Sequence, residues 1–113
     1  MTVSQTKEPT EFVCNLDAIA PENREAHIAL AQRLVLESYL ELKELEDGYA
    51  FKFAVEEFDT ILKYISNERL CCPFFTFNVK ITPNHGPIWL SIYGHEQIKI
   101  FLKNELQNVK DKA

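Results

Sequence analysis

Apolar residues change their spacing several times along the chain, and each change marks an element. Ala26, His27, Leu30, Ala31 and Leu34 recur every three or four residues, which predicts a helix from about Pro21 to Leu36. Proline suits the first turn, where its missing amide hydrogen costs nothing, and Glu22 and Glu25 lie at the positive end of the helix dipole. His27 falls on the apolar face. From Tyr39 to Leu45 the spacing becomes two, with Leu40 and Leu42 on one side. Asp47-Gly48 is a hairpin-turn signal, and Tyr49, Phe51 and Phe53 alternate on the return. A two-residue turn there sets Leu42 opposite Phe53, Glu44 opposite Phe51 and Lys43 opposite Lys52, the last a mild like-charge cost.

Helical spacing resumes after Glu56-Glu57, with Phe58, Ile61, Leu62, Ile65 and then Arg69 or Cys72 as the stripe. Phe75, Phe77, Val79 and Ile81 then alternate with polar residues. The segment Thr82-Pro83-Asn84-His85-Gly86-Pro87 is rich in breakers. Ile88, Leu90 and Ile92 alternate with Trp89, Ser91 and Tyr93, and Gly94 ends the strand. Ile98, Phe101, Leu102 and Leu106 mark a last helix.

The order predicts an α+β fold: helix, hairpin, helix, hairpin, helix, with a four-stranded antiparallel sheet and helices packed on one face. It reads as a repeated α-β-β unit, without clear identity between the halves. Phe74, Trp89 and Tyr93 are expected on the other face, where they line a ligand cleft, form a dimer contact or simply cap the sheet. Residues 1–10 and 109–113 read as flexible tails around a single domain over 11–108, whose first residues, Glu11 to Leu16, lie extended against the core.

Composition narrows the function. With 113 residues, 46% of them apolar, the chain can bury one real core. A net charge of -5 argues against nucleic acid as the main partner. Lys99, Lys103, Lys110 and Lys112 read as a solvated helix face. No apolar run is long enough to span a membrane, and the first residues lack the basic and apolar regions of a signal peptide. The expected location is cytoplasmic, where three cysteines are reduced, metal-bound or packed rather than a disulfide framework.

The chemistry concentrates between Asn67 and Phe77. Pro73 disfavours helix at the residue before it, so the second helix is expected to end at Cys71-Cys72. Helix-end carbonyls raise a thiol's pKa unless a cation such as Arg69 compensates. Adjacent sulfurs rarely bond to each other, but they can hold one soft metal, or one can pair with Cys14, the only other thiol. Cys14, His27, Cys71 and Cys72 together make a tetrahedral zinc set if folding gathers them, although the spacing is not that of a CxxC…CxxC site. Glu68, one turn before the pair, and Arg69 are candidates to support that set or to move protons. The plainer alternative is that the cysteines pack as small apolar residues and His27 is a satisfied core histidine.

A catalytic reading uses Cys71 or Cys72 with His27, oriented by Glu68 or Asp17. The three glycines form no phosphate loop, and neither Gly-x-Ser-x-Gly nor His-Glu-x-x-His occurs. His85 and His95, at turns, read as solvated.

Glu68-Arg69-Leu70-Cys71-Cys72-Pro73-Phe74 is similar to the E-R-x-C-C-P-F signature of a family of short, uncharacterised bacterial proteins. Cys14-Asn15-Leu16, Pro21, Arg24, His27, Asp47-Gly48-Tyr49, Gly86-Pro87-Ile88-Trp89-Leu90 and Gly94 also match, so the likeness covers most of the chain from Cys14 to Phe101. It implies bacterial origin and a shared fold, brings no activity with it, and sets Cys14, His27 and the cysteine pair in one pattern. Three functions remain: a module binding zinc, copper(I), mercury, arsenite or another thiophile; a thiol-dependent enzyme on a small molecule near Trp89 and Tyr93; or a structural domain, such as a homodimer, whose cysteines only pack.

Overall fold

The computed structural model describes residues 14–112. The expected tail over 1–10, and Glu11 to Val13 of the expected extended segment, lie outside them. Leu16 of that segment belongs instead to a 3₁₀ turn, Leu16–Ala18. Helix α1 covers Pro21–Gln32 and passes directly into a π-helical stretch, Arg33–Ser38. Strands β1 (Glu41–Glu44) and β2 (Gly48–Phe53) follow, then helix α2 (Phe58–Cys71) after a 3₁₀ turn at Val55–Glu57. Strands β3 (Thr76–Ile81) and β4 (Ile88–Tyr93) precede helix α3 (Glu96–Lys112), which runs past the boundary expected at residue 109. Among the described residues the fold is α+β, with three α-helices and a four-stranded antiparallel sheet in the order β1-β2-β4-β3. Among the described residues no helix is long and apolar enough to cross a membrane.

The first hairpin differs from expectation by two residues. Leu42 faces Phe51 and Glu44 faces Tyr49, so the turn residues are Glu46 and Asp47, and Gly48 opens β2. An even shift leaves each side chain on its expected face. It replaces the Lys43–Lys52 opposition by Glu41 against Lys52, with an ion pair of 3.8 Å. Gly48 is needed for closeness, not for a left-handed backbone: a Cβ there would run into the Ile92 carbonyl oxygen of β4. In the second hairpin the left-handed positions are Asn84 (φ 60°) and His85 (φ 59°), and Thr82 Oγ1 donates to the Pro87 carbonyl at 2.6 Å.

The core joins Phe51, Phe53, Ile88, Leu90 and Ile92 of the sheet to Leu34, Ile61, Tyr64, Ile98 and Leu102 of the helical segments. Three expectations shift. On α2 the buried face runs through Ile61, Tyr64 and Cys71, at spacings of three and seven, so Leu62 is 43% exposed while Tyr64 is 4% exposed. Strand β3 starts only at Thr76, so Phe74 precedes it and is not on the outer sheet face. Phe74 packs edge-on against Phe75 (5.1 Å) and against Phe101 of α3 (5.2 Å). Ile81 ends an edge strand and is 61% exposed.

Candidate functional site

Helix α2 carries the cysteine pair to its end. Cys71 is its last residue, and Cys72 leaves the helix at φ -125°, ψ 75° while its amide still donates to the Glu68 carbonyl at 2.7 Å. Pro73 then forbids continuation. Both side chains are buried.

Cys14 reaches this helix end through a built segment. The Asn15 amide donates to the Cys71 carbonyl at 2.8 Å, satisfying one of the acceptors that every helix C-terminus leaves open. Asn15 Oδ1 caps the 3₁₀ turn by accepting from the Asp17 amide at 3.0 Å, and Arg24 Nε of α1 donates to the Ile19 carbonyl at 2.9 Å. Held in this way, Cys14 forms a disulfide with Cys72, and Cys71 remains a buried free thiol. The three sulfurs all lie within 4.8 Å of one another. Of the outcomes open to the pair, a shared soft metal or a bond from one of them to Cys14, the structure shows the bond, and it departs only from the reduced, metal-bound or packed state expected of cysteines in a cytoplasmic protein.

His27 is not among the sulfurs. Its Nε2 meets Glu68 Oε1 at 2.7 Å, with the imidazole 3% and the carboxylate 15% exposed. Glu68 Oε2 stands 3.5 Å from Cys72 Sγ. One carboxylate therefore joins the histidine of α1 to the sulfur of Cys72. Tyr64, one turn earlier on α2, stacks on His27 with ring centroids 5.6 Å apart. His27 Nδ1 is buried without a hydrogen-bond partner among the described residues, a cost normally avoided in a protein interior.

The electrostatics disfavour charge on Cys71. Burial pushes its thiol up to about 11, the Glu68 and Glu105 carboxylates add to the shift, and the hydrogen bond involving the Asn15 backbone opposes it. Burial likewise raises the Tyr64 phenol, with Glu68 acting in the same direction through its charge and a hydrogen bond. Arg69 is exposed, so the expected compensating cation does not lie in the buried cluster. Asp17 is also exposed and faces Arg24 at 3.8 Å. His85 and His95 are exposed, as expected at turns.

Of the residues predicted for the site, the structure brings Cys14, Cys71 and Cys72 together and attaches His27 through Glu68. Sequence reasoning missed Tyr64, Asn15 and Glu105. Tyr64 had a readable signal, since it lies three residues after Ile61 and four before Glu68 on the buried stripe. Asn15 and Glu105 had none, because their parts depend on tertiary contact. Comparison with protein-family models, with curated proteins and with solved structures finds no match.

The sulfur cluster fits a soft ion in its reduced form. A tetrahedral zinc about 2.3 Å from each sulfur needs them about 3.8 Å apart. The observed limit of 4.8 Å brings the three within a small adjustment of that spacing. In the disulfide form two of the donors are bonded to each other, and this capacity is closed.

Proposed function

We propose that the protein is a binding module for a soft metal ion or a thiophilic metalloid, with Cys14, Cys71 and Cys72 as its ligands. The supporting observation is the approach of all three sulfurs to within 4.8 Å. Thiolates select zinc, copper(I), mercury or trivalent arsenic over harder ions. Thiol–disulfide exchange with an external dithiol, which gives up two electrons and two protons and leaves as its own disulfide, reduces the Cys14–Cys72 bond and opens the site, and binding displaces the thiol protons. His27 serves by holding Glu68, since its Nε2 is committed there. The preferred partner is a small thiophile rather than nucleic acid or a membrane. The reading includes a bacterial, cytoplasmic setting, in line with the E-R-x-C-C-P-F resemblance. It also includes helices on one sheet face: Ile88, Leu90 and Ile92 are buried, whereas Trp89, Ser91 and Tyr93 are only partly covered and leave a face for a ligand or a second copy.

The test is titration of reduced, oxygen-free protein with arsenite and with zinc. One equivalent should bind, and Cys71→Ser/Cys72→Ser should lose that binding. Equal binding by this double variant, or none by the reduced wild type, overturns the proposal.

A second reading is a thiol-dependent enzyme, favoured by Glu68 Oε2 at 3.5 Å from Cys72 Sγ with His27 behind it. After reduction that carboxylate can accept the Cys72 proton. The carboxylate's charge by itself raises a neighbouring thiol's pKa, so this reading stands only if alkylation of Cys72 in reduced Cys71→Ser nevertheless shows a pKa below the ordinary thiol value of about 8.5. An ordinary value removes this reading.

A further inference from the structure

A cavity of about 160 Å³ opens between the π-helical stretch, the first hairpin and α3. Val35 and Leu36 of the π-helical stretch, Tyr39 beyond it, Tyr49 and Phe51 of β2 and Lys103 of α3 contribute to its lining. None of these residues belongs to the thiol site.

Each wall has a local cause. A π-helical turn holds more residues than an α-turn, and such turns are rare and gather at functional sites. Here Leu34 is buried in the core while Val35 and Leu36 face the cavity. The aromatic floor is fixed: Tyr39 packs edge-on to Phe51 at 5.8 Å, and Phe51 stacks on Phe53 at 6.2 Å. The size is that of a single ring, since an apolar void of about 150 Å³ accepts benzene.

Charge indicates the rest of the ligand. Lys99, one turn before Lys103, is already engaged, donating to Glu44 Oε2 at 2.8 Å and to the Leu45 carbonyl at 2.7 Å. Lys103 is exposed and makes no hydrogen bond or ion pair with another described residue; Glu44, whose charge it does feel, is bonded to Lys99. An ammonium at the rim of an apolar, ring-sized cavity complements a carboxylate carrying a compact apolar body.

We propose that this cavity binds a small aryl or branched-alkyl monocarboxylate, with its apolar body against Val35, Leu36 and Phe51 and its carboxylate on Lys103 Nζ. Calorimetric titration of the full chain with p-toluate tests this, with p-toluamide as the uncharged match. The expected result is one site with a Kd below about 1 mM. Lys103→Gln should weaken p-toluate by about fivefold and leave p-toluamide unchanged. Val35→Phe should fill the cavity and abolish both. Cys71→Ser/Cys72→Ser should bind p-toluate as wild type does, which separates this site from the thiol proposal. Lys103 is exposed, so its substitution leaves folding intact and keeps the test decisive if Val35→Phe does not fold. No binding of p-toluate, equal binding by Lys103→Gln, or a wild-type dimer that buries the cavity mouth overturns the proposal.

Discussion

His27 and Glu68 are 41 residues apart in the chain and 2.7 Å apart in the fold, joined where α1 crosses α2. A buried carboxylate needs such a partner, because an unpaired one loses its hydration without return. Glu68→Ala strands the imidazole and should cost about 1–3 kcal/mol. Glu68→Gln keeps a hydrogen-bonding oxygen and should cost less. Urea midpoints of the two variants check the order; equal losses would mean that the contact contributes only packing.

The Cys14–Cys72 bond closes a loop with a sequence separation of 58. Loop-closure entropy for that length is about 4 kcal/mol, and measured effects for such bonds usually lie at about 2–4 kcal/mol. Cys14→Ser should therefore lower the denaturant midpoint under oxidising conditions, and added reductant should do no further harm. Cys71→Ser retains the bond and should be milder.

The raised pKa of Cys71 has a definite sign. Its thiol ionises near 9.0 when free of the fold and at about 11 within it, so the folded state disfavours the thiolate. The stability this confers is complete below pH 9, falls as pH rises above 9 and is gone beyond about 11. Native-state alkylation of Cys71 should stay slow at neutral pH and climb through the same window. A pH–rate profile with an inflection near 9.0, the value free of the fold, would contradict the role of burial.

Gly48 lies against β4, and any side chain there meets the Ile92 carbonyl. Gly48→Ala should destabilise by about 1–3 kcal/mol through forced separation of the two central strands. Thermal unfolding checks the loss, and faster amide exchange along β2 and β4 would locate it.

Much of this architecture can be read from alternation. Ile88, Leu90 and Ile92 are buried while Trp89, Ser91 and Tyr93 are less so, because a strand packed on one face enforces a period of two. Pro21 marks the first residue of α1 for a local reason as well. The hairpin register is less legible. Asp47-Gly48 has the chemistry of a turn, but the contact of Gly48 with β4 and the pairing of Glu41 with Lys52 are tertiary and place the turn elsewhere. The site divides in the same way. The halt of α2 at the cysteine pair follows from Pro73, whereas the arrival of Cys14 depends on Asn15 finding the open carbonyl of Cys71. Tyr64 falls on the buried stripe by its spacing from Ile61, but its place beside the site depends on stacking against His27 of another helix.

The sulfur bridge also divides the polymer mechanically. It encloses α1, the first hairpin and α2 in a covalent ring and leaves β3, β4 and α3 outside. Tension applied between the two ends of the chain would pass from Cys14 straight to Cys72, so the enclosed segment would be shielded from stretching. A pulling experiment would extend only the remainder until a reductant cut the shortcut, after which the hidden length would be released.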